Sequence, residues 1–279
     1  MARQPRGIGE HLREWRARRR MSQLELALDA GISTRHLSFL ETGRAQPSRD
    51  MVLHLAERLD VPLRERNVFL AAAGYAPIFG ERSLDDPALA AARAAIDLVL
   101  AAHEPYPAIA VDRHWNLVSA NLAVQLLLRG VARELMRPPV NVLRLALHPD
   151  GLAPRMENLA EWRAHLLARL RRQIELSADG KLIELMRELE RYPAPHGGNR
   201  HATDDRTAAD VVLPLQLKTE YGVVSLFGTV TVFGTPIDVT VAELALECFY
   251  PADPETAEIL RRATSSRGTL PARSAALVA

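Results

Sequence analysis

The sequence predicts two unlike domains in tandem: an all-α domain of five helices at the N-terminus, then a larger α+β domain, a small antiparallel sheet covered by helices. Three observations carry that prediction. Up to about residue 75, apolar residues recur at helical spacing in five short runs divided by Ser- and Gly-containing turns. Around Ala76-Pro77-Ile78-Phe79-Gly80 this pattern breaks. Beyond it, stretches with a period of two alternate with long amphipathic ones. The expected division is 1–76 for the first domain, 77–87 for a linker, 88–262 for the second domain and 263–279 for a disordered tail.

Bulk composition narrows the class. The chain has 279 residues, 48% hydrophobic and 25% charged, as in ordinary globular proteins. No apolar run approaches the roughly 20 residues that span a bilayer, and the basic N-terminus precedes no apolar core of a secretory signal. One cysteine, Cys248, excludes an intramolecular disulfide and a cysteine-built zinc site. A cytoplasmic protein is expected. The net charge is only +1, yet residues 1–75 hold 13 Arg against 9 acidic residues, and seven of those arginines precede residue 21. A basic front on a near-neutral chain is the electrostatic asymmetry of a nucleic-acid binder, although most basic runs are merely solvated faces.

Helical spacing begins at Glu10 and runs through Leu12, Trp15 and Arg18. Ser22 followed by Glu25 is a capping box that starts a helix over 23–30, which Gly31 ends. Ser33 caps a helix over 34–41, Ser48 one that carries Met51, Val52, Leu55 and Leu59, and a fifth covers 63–73. Ala27 is the small residue where two helices cross, and Leu37 and Leu40 point back into the core. That geometry sets a second helix steeply across the first, so that its N-terminal half can enter a major groove. The runs Ser22-Gln23-Leu24-Glu25-Leu26-Ala27 and Leu40-Glu41-Thr42-Gly43-Arg44-Ala45-Gln46-Pro47-Ser48 resemble the Cro/C1-type (XRE family) helix-turn-helix over about residues 8–72.

The candidate DNA contacts follow. Gln23 would face a backbone phosphate, and Thr34, Arg35, His36 and Ser38 lie on the exposed part of the recognition helix. Arg35 is the candidate base reader, because its fork matches guanine O6 and N7. Arg44 is assigned to phosphate. Phe39 reads equally as half-buried packing, and Arg18, Arg19 and Arg20 equally as solvated. One such domain makes few base contacts, so a homodimer on a two-fold symmetric, double-stranded operator is expected.

In the second domain, Asp85 or Asp86 with Pro87 starts a helix to about 102, and 108–112 and 116–120 read as short strands around a turn. Helices are expected over 121–128, 159–176 and 180–191, a mobile loop over 193–209, strands over 211–218 and 223–233, and a closing helix over 240–247. The pieces Val111-Asp112-Arg113-His114-Trp115, Ser119-Ala120-Asn121, Leu147-His148-Pro149-Asp150-Gly151 and Gly228-Thr229-Val230-Thr231-Val232-Phe233-Gly234-Thr235-Pro236 resemble the MmyB-like regulator family. The resemblance implies a PAS-like ligand-binding domain with a sensor pocket between sheet and helices, and fatty-acyl ligands.

Pocket candidates are the apolar residues of the strands and helices: Trp115, Leu126, Leu143, Trp162, Leu166, Phe227 and Val232. Each such residue is more often plain core than ligand contact. His148 could meet an acyl carboxylate, with loop capping as the plainer role, and Asn121 would brace its helix. Enzymatic chemistry finds no footing: the histidines form no paired metal motif, and there is no phosphate loop or nucleophile elbow. Cys248 reads as buried and inert at the end of an apolar helix. No cofactor, metal or membrane partner is expected. Two non-enzymatic readings of the second domain remain, a sensor of a small apolar ligand and a dimerisation or protein-docking platform. An enclosed apolar cavity would favour the sensor.

Overall fold

The computed structural model describes residues 7–177, 179–193 and 213–265. Arg3, Arg6, nearly all of the expected 193–209 loop, the first residues of the strand expected from Val211, and the tail beyond Ser265 lie outside them. By compactness the chain divides into two units. One takes the chain up to Ser83 together with Thr235–Ala242, and the other takes Leu84–Gly234 and everything from Glu243.

The first unit opens with five helices: α1 (Ile8–Arg18), α2 (Gln23–Asp29), α3 (Thr34–Glu41), α4 (Arg49–Arg58) and α5 (Leu63–Ala72). Their starts are set by the residues the sequence nominates. The Ser22 hydroxyl accepts from the Glu25 N–H while the Glu25 carboxylate accepts from the Ser22 N–H, so both halves of the box are closed. Ser33 and Ser48 cap α3 and α4 in the same way, through the N–H groups of His36 and Met51. Gly31, with φ of +63°, makes the turn between α2 and α3 without the cost a Cβ would bring. Leu12, Trp15, Leu26, Leu37, Leu40, Leu55, Leu59, Phe69 and Leu70 form the core, with Ala27 buried where α2 packs on α3.

A second glycine explains how α1 approaches α3. A Cβ on Gly9 would lie 2.6 Å from the carbonyl oxygens of both Leu40 and Glu41, so only glycine lets α1 cross the C-terminal end of α3 this closely.

The second unit begins with α6 (Ala90–Ala102), then β1 (Ala108–Val111), β2 (Leu117–Ala120), α7 (Val124–Leu128), α8 (Val142–Leu147), α9 (Leu159–Ser177) and α10 (Gly180–Glu190). Next come β3 (Leu215–Thr219) and β4 (Gly222–Val232). The chain then passes through Thr235–Ala242, which contains α11 (Val239–Ala242), and returns as β5 (Ala245–Pro251) and α12 (Pro254–Ser265). The strands form one antiparallel sheet in the order β2-β1-β5-β4-β3. Helix α6 covers one face, where Ile96 and Leu100 pack on Ala108, Ala110, Leu246 and Cys248. The other face meets α7, α8, α9, α10 and α12 through Ile109, Val111, Leu217, Val224 and Leu226.

Three expectations are corrected. The helix expected over 240–247 is a single turn, α11, and the residues after it form β5, a central strand. Ala245-Leu246-Glu247-Cys248 suits a helix by local propensity, but pairing with β1 on one side and β4 on the other overrides it. Cys248 therefore sits on a strand rather than a helix end; it is buried, and burial followed by the Glu247 charge pushes its thiol pKa up. Finally, α12 runs through Ser265, so an ordered helix reaches into what was expected to be tail.

The segment Thr235–Ala242 is held in the first unit by polar contacts. The Val239 N–H donates to the Gly80 carbonyl at 2.7 Å, and the Thr240 hydroxyl donates to the Arg82 carbonyl at 2.6 Å. Arg82 donates to the buried carboxylate of Asp238 at 3.0 Å, and Asp238 also accepts from the Thr240 N–H. Nothing in the local sequence of 235–242 announces this placement.

Candidate functional site

The helix-turn-helix surface is built on α3. Leu37 and Leu40 are buried, which turns Thr34, Arg35 and Ser38 outward, with Arg35 exposed and Thr34, His36 and Ser38 partly so. Phe39 organises the cations at this surface. The guanidinium of Arg35 lies 5.3 Å from its ring centroid and that of Arg44 lies 6.0 Å from it. Cation–π attraction of this kind restrains two long side chains while leaving their N–H groups free to meet acceptors. Phe39 is thus partly buried and supports both arginines, a role its position alone left open.

Gln23 and the N-terminal arginines are more engaged within the unit than the sequence suggests. Gln23 Nε2 donates to Glu41 Oε2 at 2.8 Å. Arg16 reaches both oxygens of the same carboxylate, and Arg13 donates to the Glu41 carbonyl. Burial pushes the Glu41 carboxyl pKa up, but hydrogen bonds from Arg16 and Gln23 and the charges of Arg16 and Arg13 outweigh it, so the net shift is downward. Arg18 pairs with Glu14, and Arg19 donates to the carbonyls of Leu59 and Asp60 at the end of α4. Both lie 5.2 Å from the Trp15 ring centroid.

In the second unit the face of β1 and β5 that carries Ile109, Glu247 and Phe249 closes over an apolar cavity of about 100 Å³. Four predicted residues are brought together there: Trp115, Leu143, Trp162 and Leu166. Leu126 is buried in the same core but lines a separate, shallow depression with Leu260 and Ala263. Phe227 and Val232 are not at the cavity. Phe227 alternates onto the opposite face from Val224 and Leu226 and stacks on Tyr250, and Val232 lies at the far end of β4, 60% exposed.

Trp115 is placed under strain. Its φ of +67° falls in the left-handed region that a bulky residue seldom occupies. Asp112 holds the turn, accepting from the N–H groups of His114 and Asn116. The indole N–H then donates to Gln173 Oε1 at 2.8 Å, and the Arg169 guanidinium packs 4.5 Å from the ring centroid. The ring forms a wall: the cavity is on one side, and a wider, more polar hollow of about 270 Å³ with Arg113, Arg169 and Arg172 also borders it.

The lining that sequence reasoning missed comes from β1, β2, α7 and β3, from the rest of α8, from Leu152 and Met156, and from β5. Glu247 is its only charged member among the described residues. The alternation of Leu246 and Cys248 with Glu247 and Phe249 was the signal for a strand there, obscured by the helix-favouring Ala, Leu and Glu before it. His148 is not a cavity residue; its Nδ1 accepts from the Asp150 N–H at 3.0 Å and braces the loop. Asn121 ties β1 to the end of α6, accepting from the Ala108 N–H and donating to the Leu100 and Tyr106 carbonyls.

Among the described residues no helix is long and apolar enough to cross a membrane. Residues 12–66 match the helix-turn-helix family. Residues 92–263, more than half of the chain, match the MmyB-like transcription regulator ligand binding domain. Both are domains of transcription regulators rather than of enzymes. No curated protein matches the chain. With a helix-turn-helix match at residues 12–66 and a ligand binding domain match at residues 92–263, the chain belongs to the MmyB-like transcription regulators.

Proposed function

We propose that this protein is a sequence-specific, cytoplasmic transcription regulator without catalytic activity or cofactor, whose second domain senses a small apolar ligand. Homodimers would bind two-fold symmetric operators, with Thr34, Arg35, His36 and Ser38 toward the bases and Gln23 and Arg44 toward phosphates. The observation that carries the sensor reading is the cavity itself. Native cores leave few voids, and among the described residues this one is lined by sixteen apolar side chains and a single carboxylate. A dimerisation or docking platform has no need of such a space.

A fatty-acyl chain has the chemistry for it. An apolar cavity of about 150 Å³ takes a benzene-sized guest, so about 100 Å³ accommodates a short chain, and a longer one must displace lining side chains. Met156 and the leucines of α8 and α9 are flexible enough to yield. Ligand would alter operator binding only by preferring one arrangement of the protein over another.

Native mass spectrometry of the purified protein, followed by denaturation and analysis of released small molecules, tests this reading. A co-purifying lipid or other apolar molecule is the expected result. A dimer that releases nothing, and that takes up no added apolar probe, would favour the docking platform.

A further inference from the structure

Resting on that reading of the cavity, the chemistry of its one polar wall specifies the head group of the ligand. Glu247 lies in the middle of β5, paired with Ile109 on one side and Val230 on the other, and is 8% exposed. Among the described residues its carboxylate is the only charged group on a lining otherwise made of apolar side chains. One oxygen, Oε1, is fully buried with no hydrogen-bond donor aligned to it among the described residues. Arg169 Nη2 is 2.7 Å from that oxygen, close enough for an ion pair but outside hydrogen-bond alignment. Arg169 itself belongs to the neighbouring polar hollow, beyond the Trp115 ring, and does not line the cavity.

A buried acceptor without an aligned donor is a standing cost to the fold. The Arg169 charge balances the Glu247 charge but supplies no aligned donor, so the oxygen that borders the cavity keeps its accepting capacity. We infer that Glu247 is the head-group acceptor of the cavity, and that its ligand is an apolar chain ending in a neutral hydrogen-bond donor, an O–H or N–H. The charges exclude the other classes. An anionic head would meet the Glu247 carboxylate in a low-dielectric space. A cationic head would meet a carboxylate already opposed by the Arg169 charge. A neutral donor completes the missing hydrogen bond and disturbs neither. A fatty acid would enter this end as its neutral acid, not as a carboxylate.

The test is a comparison of three probes of one chain length on the full protein: octan-1-ol, methyl octyl ether and octanoate at a pH of about 8. Isothermal titration should show the alcohol binding at least tenfold more tightly than either of the others. In Glu247→Leu the advantage of alcohol over ether should vanish. Should that variant not fold, Glu247→Gln should shrink the advantage, because a neutral acceptor makes the weaker bond. If the ether or octanoate binds as well as the alcohol, or if the variants leave the preference intact, the head-group assignment fails while the sensor reading stands. If none of the three binds and the protein releases no apolar molecule, the sensor reading fails and the assignment with it.

Discussion

Glu41 and Arg16 form a two-point salt bridge inside the helix-turn-helix domain, with N–O distances of 2.6 and 2.9 Å, and Gln23 from the start of α2 completes the carboxylate's partners. Three helices thus converge on the last residue of α3, fixing the recognition helix at its C-terminal end. The Glu41 side chain is 1% exposed and that of Arg16 15%. Removing one member of a buried pair leaves the other unpaired, at a cost of about 3–5 kcal/mol.

Glu41→Ala should therefore lower the melting transition of the helix-turn-helix unit by a corresponding amount in calorimetry. The effect should depend on pH. The folded carboxyl titrates below its ordinary value of 4.5, so its contribution to stability is complete above the unfolded value and is lost as pH falls through the folded one. Between pH of about 6 and 3 the native protein should lose more stability than Glu41→Ala. Equal losses would show that the pair contributes nothing to acid sensitivity.

Arg35 and Arg44 share the Phe39 ring but are assigned different partners. On an operator selected from random duplexes, Arg35→Ala should cost about 1–3 kcal/mol and relax preference at one base pair. Arg44→Ala should weaken all sequences alike and reduce the salt slope by about one. Fluorescence anisotropy across a salt series distinguishes the two. A uniform loss from Arg35→Ala would reassign that residue to phosphate.

Gly9→Ala should destabilise the first unit although alanine favours a helix by about 1 kcal/mol. The added methyl has no room against the Leu40 and Glu41 carbonyls, and overpacking of this kind costs about 1–3 kcal/mol. An unchanged melting temperature would mean that α1 crosses α3 less closely than the structure has it.

Ala146 lines the cavity, and leucine there adds three carbons to it. Ala146→Leu should leave the fold intact and shift binding toward shorter chains, measured as the longest alcohol in a homologous series that still raises the melting temperature. Unaltered chain-length selectivity would remove Ala146 from the ligand's path.

Asp238 should matter to the first unit despite its distance in sequence. Asp238→Ala deprives Arg82 of a buried partner and removes the acceptor for the Thr240 N–H. Limited proteolysis should then cut within residues 233–242 faster than in the native protein. Equal protection in the variant would show that the Val239–Gly80 and Thr240–Arg82 bonds suffice.

What the sequence could decide was local. Ser22, Ser33 and Ser48 each cap the helix that begins just after it, and Gly31 makes its turn through its own backbone, so short windows contained both the cause and the effect. The same holds for Leu37 and Leu40, whose spacing sets which face of α3 is buried and hence that Arg35 is exposed. Trp115, Leu143, Trp162 and Leu166 could be nominated for the cavity because each is large and apolar, within or beside an element with a buried side.

The tertiary structure decided whatever depends on a neighbour distant in sequence. Gly9 is needed only because the carbonyls of residues 40 and 41 come to rest against it. Glu41 and Gln23 look like solvated polar residues until the fold brings Arg16 and Gln23 to the same carboxylate. Ala245–Glu247 has the local preference of a helix and lies in a strand because β1 and β4 offer it two ladders of hydrogen bonds. That choice moves Glu247 from the face of a helix to the wall of a cavity, since alternation along a strand sends its side chain inward with Phe249 while Leu246 and Cys248 face α6. Capping and helical periodicity act over a few residues and can be read from the chain, whereas strand pairing and the enclosure of a buried charge exist only after distant segments have met.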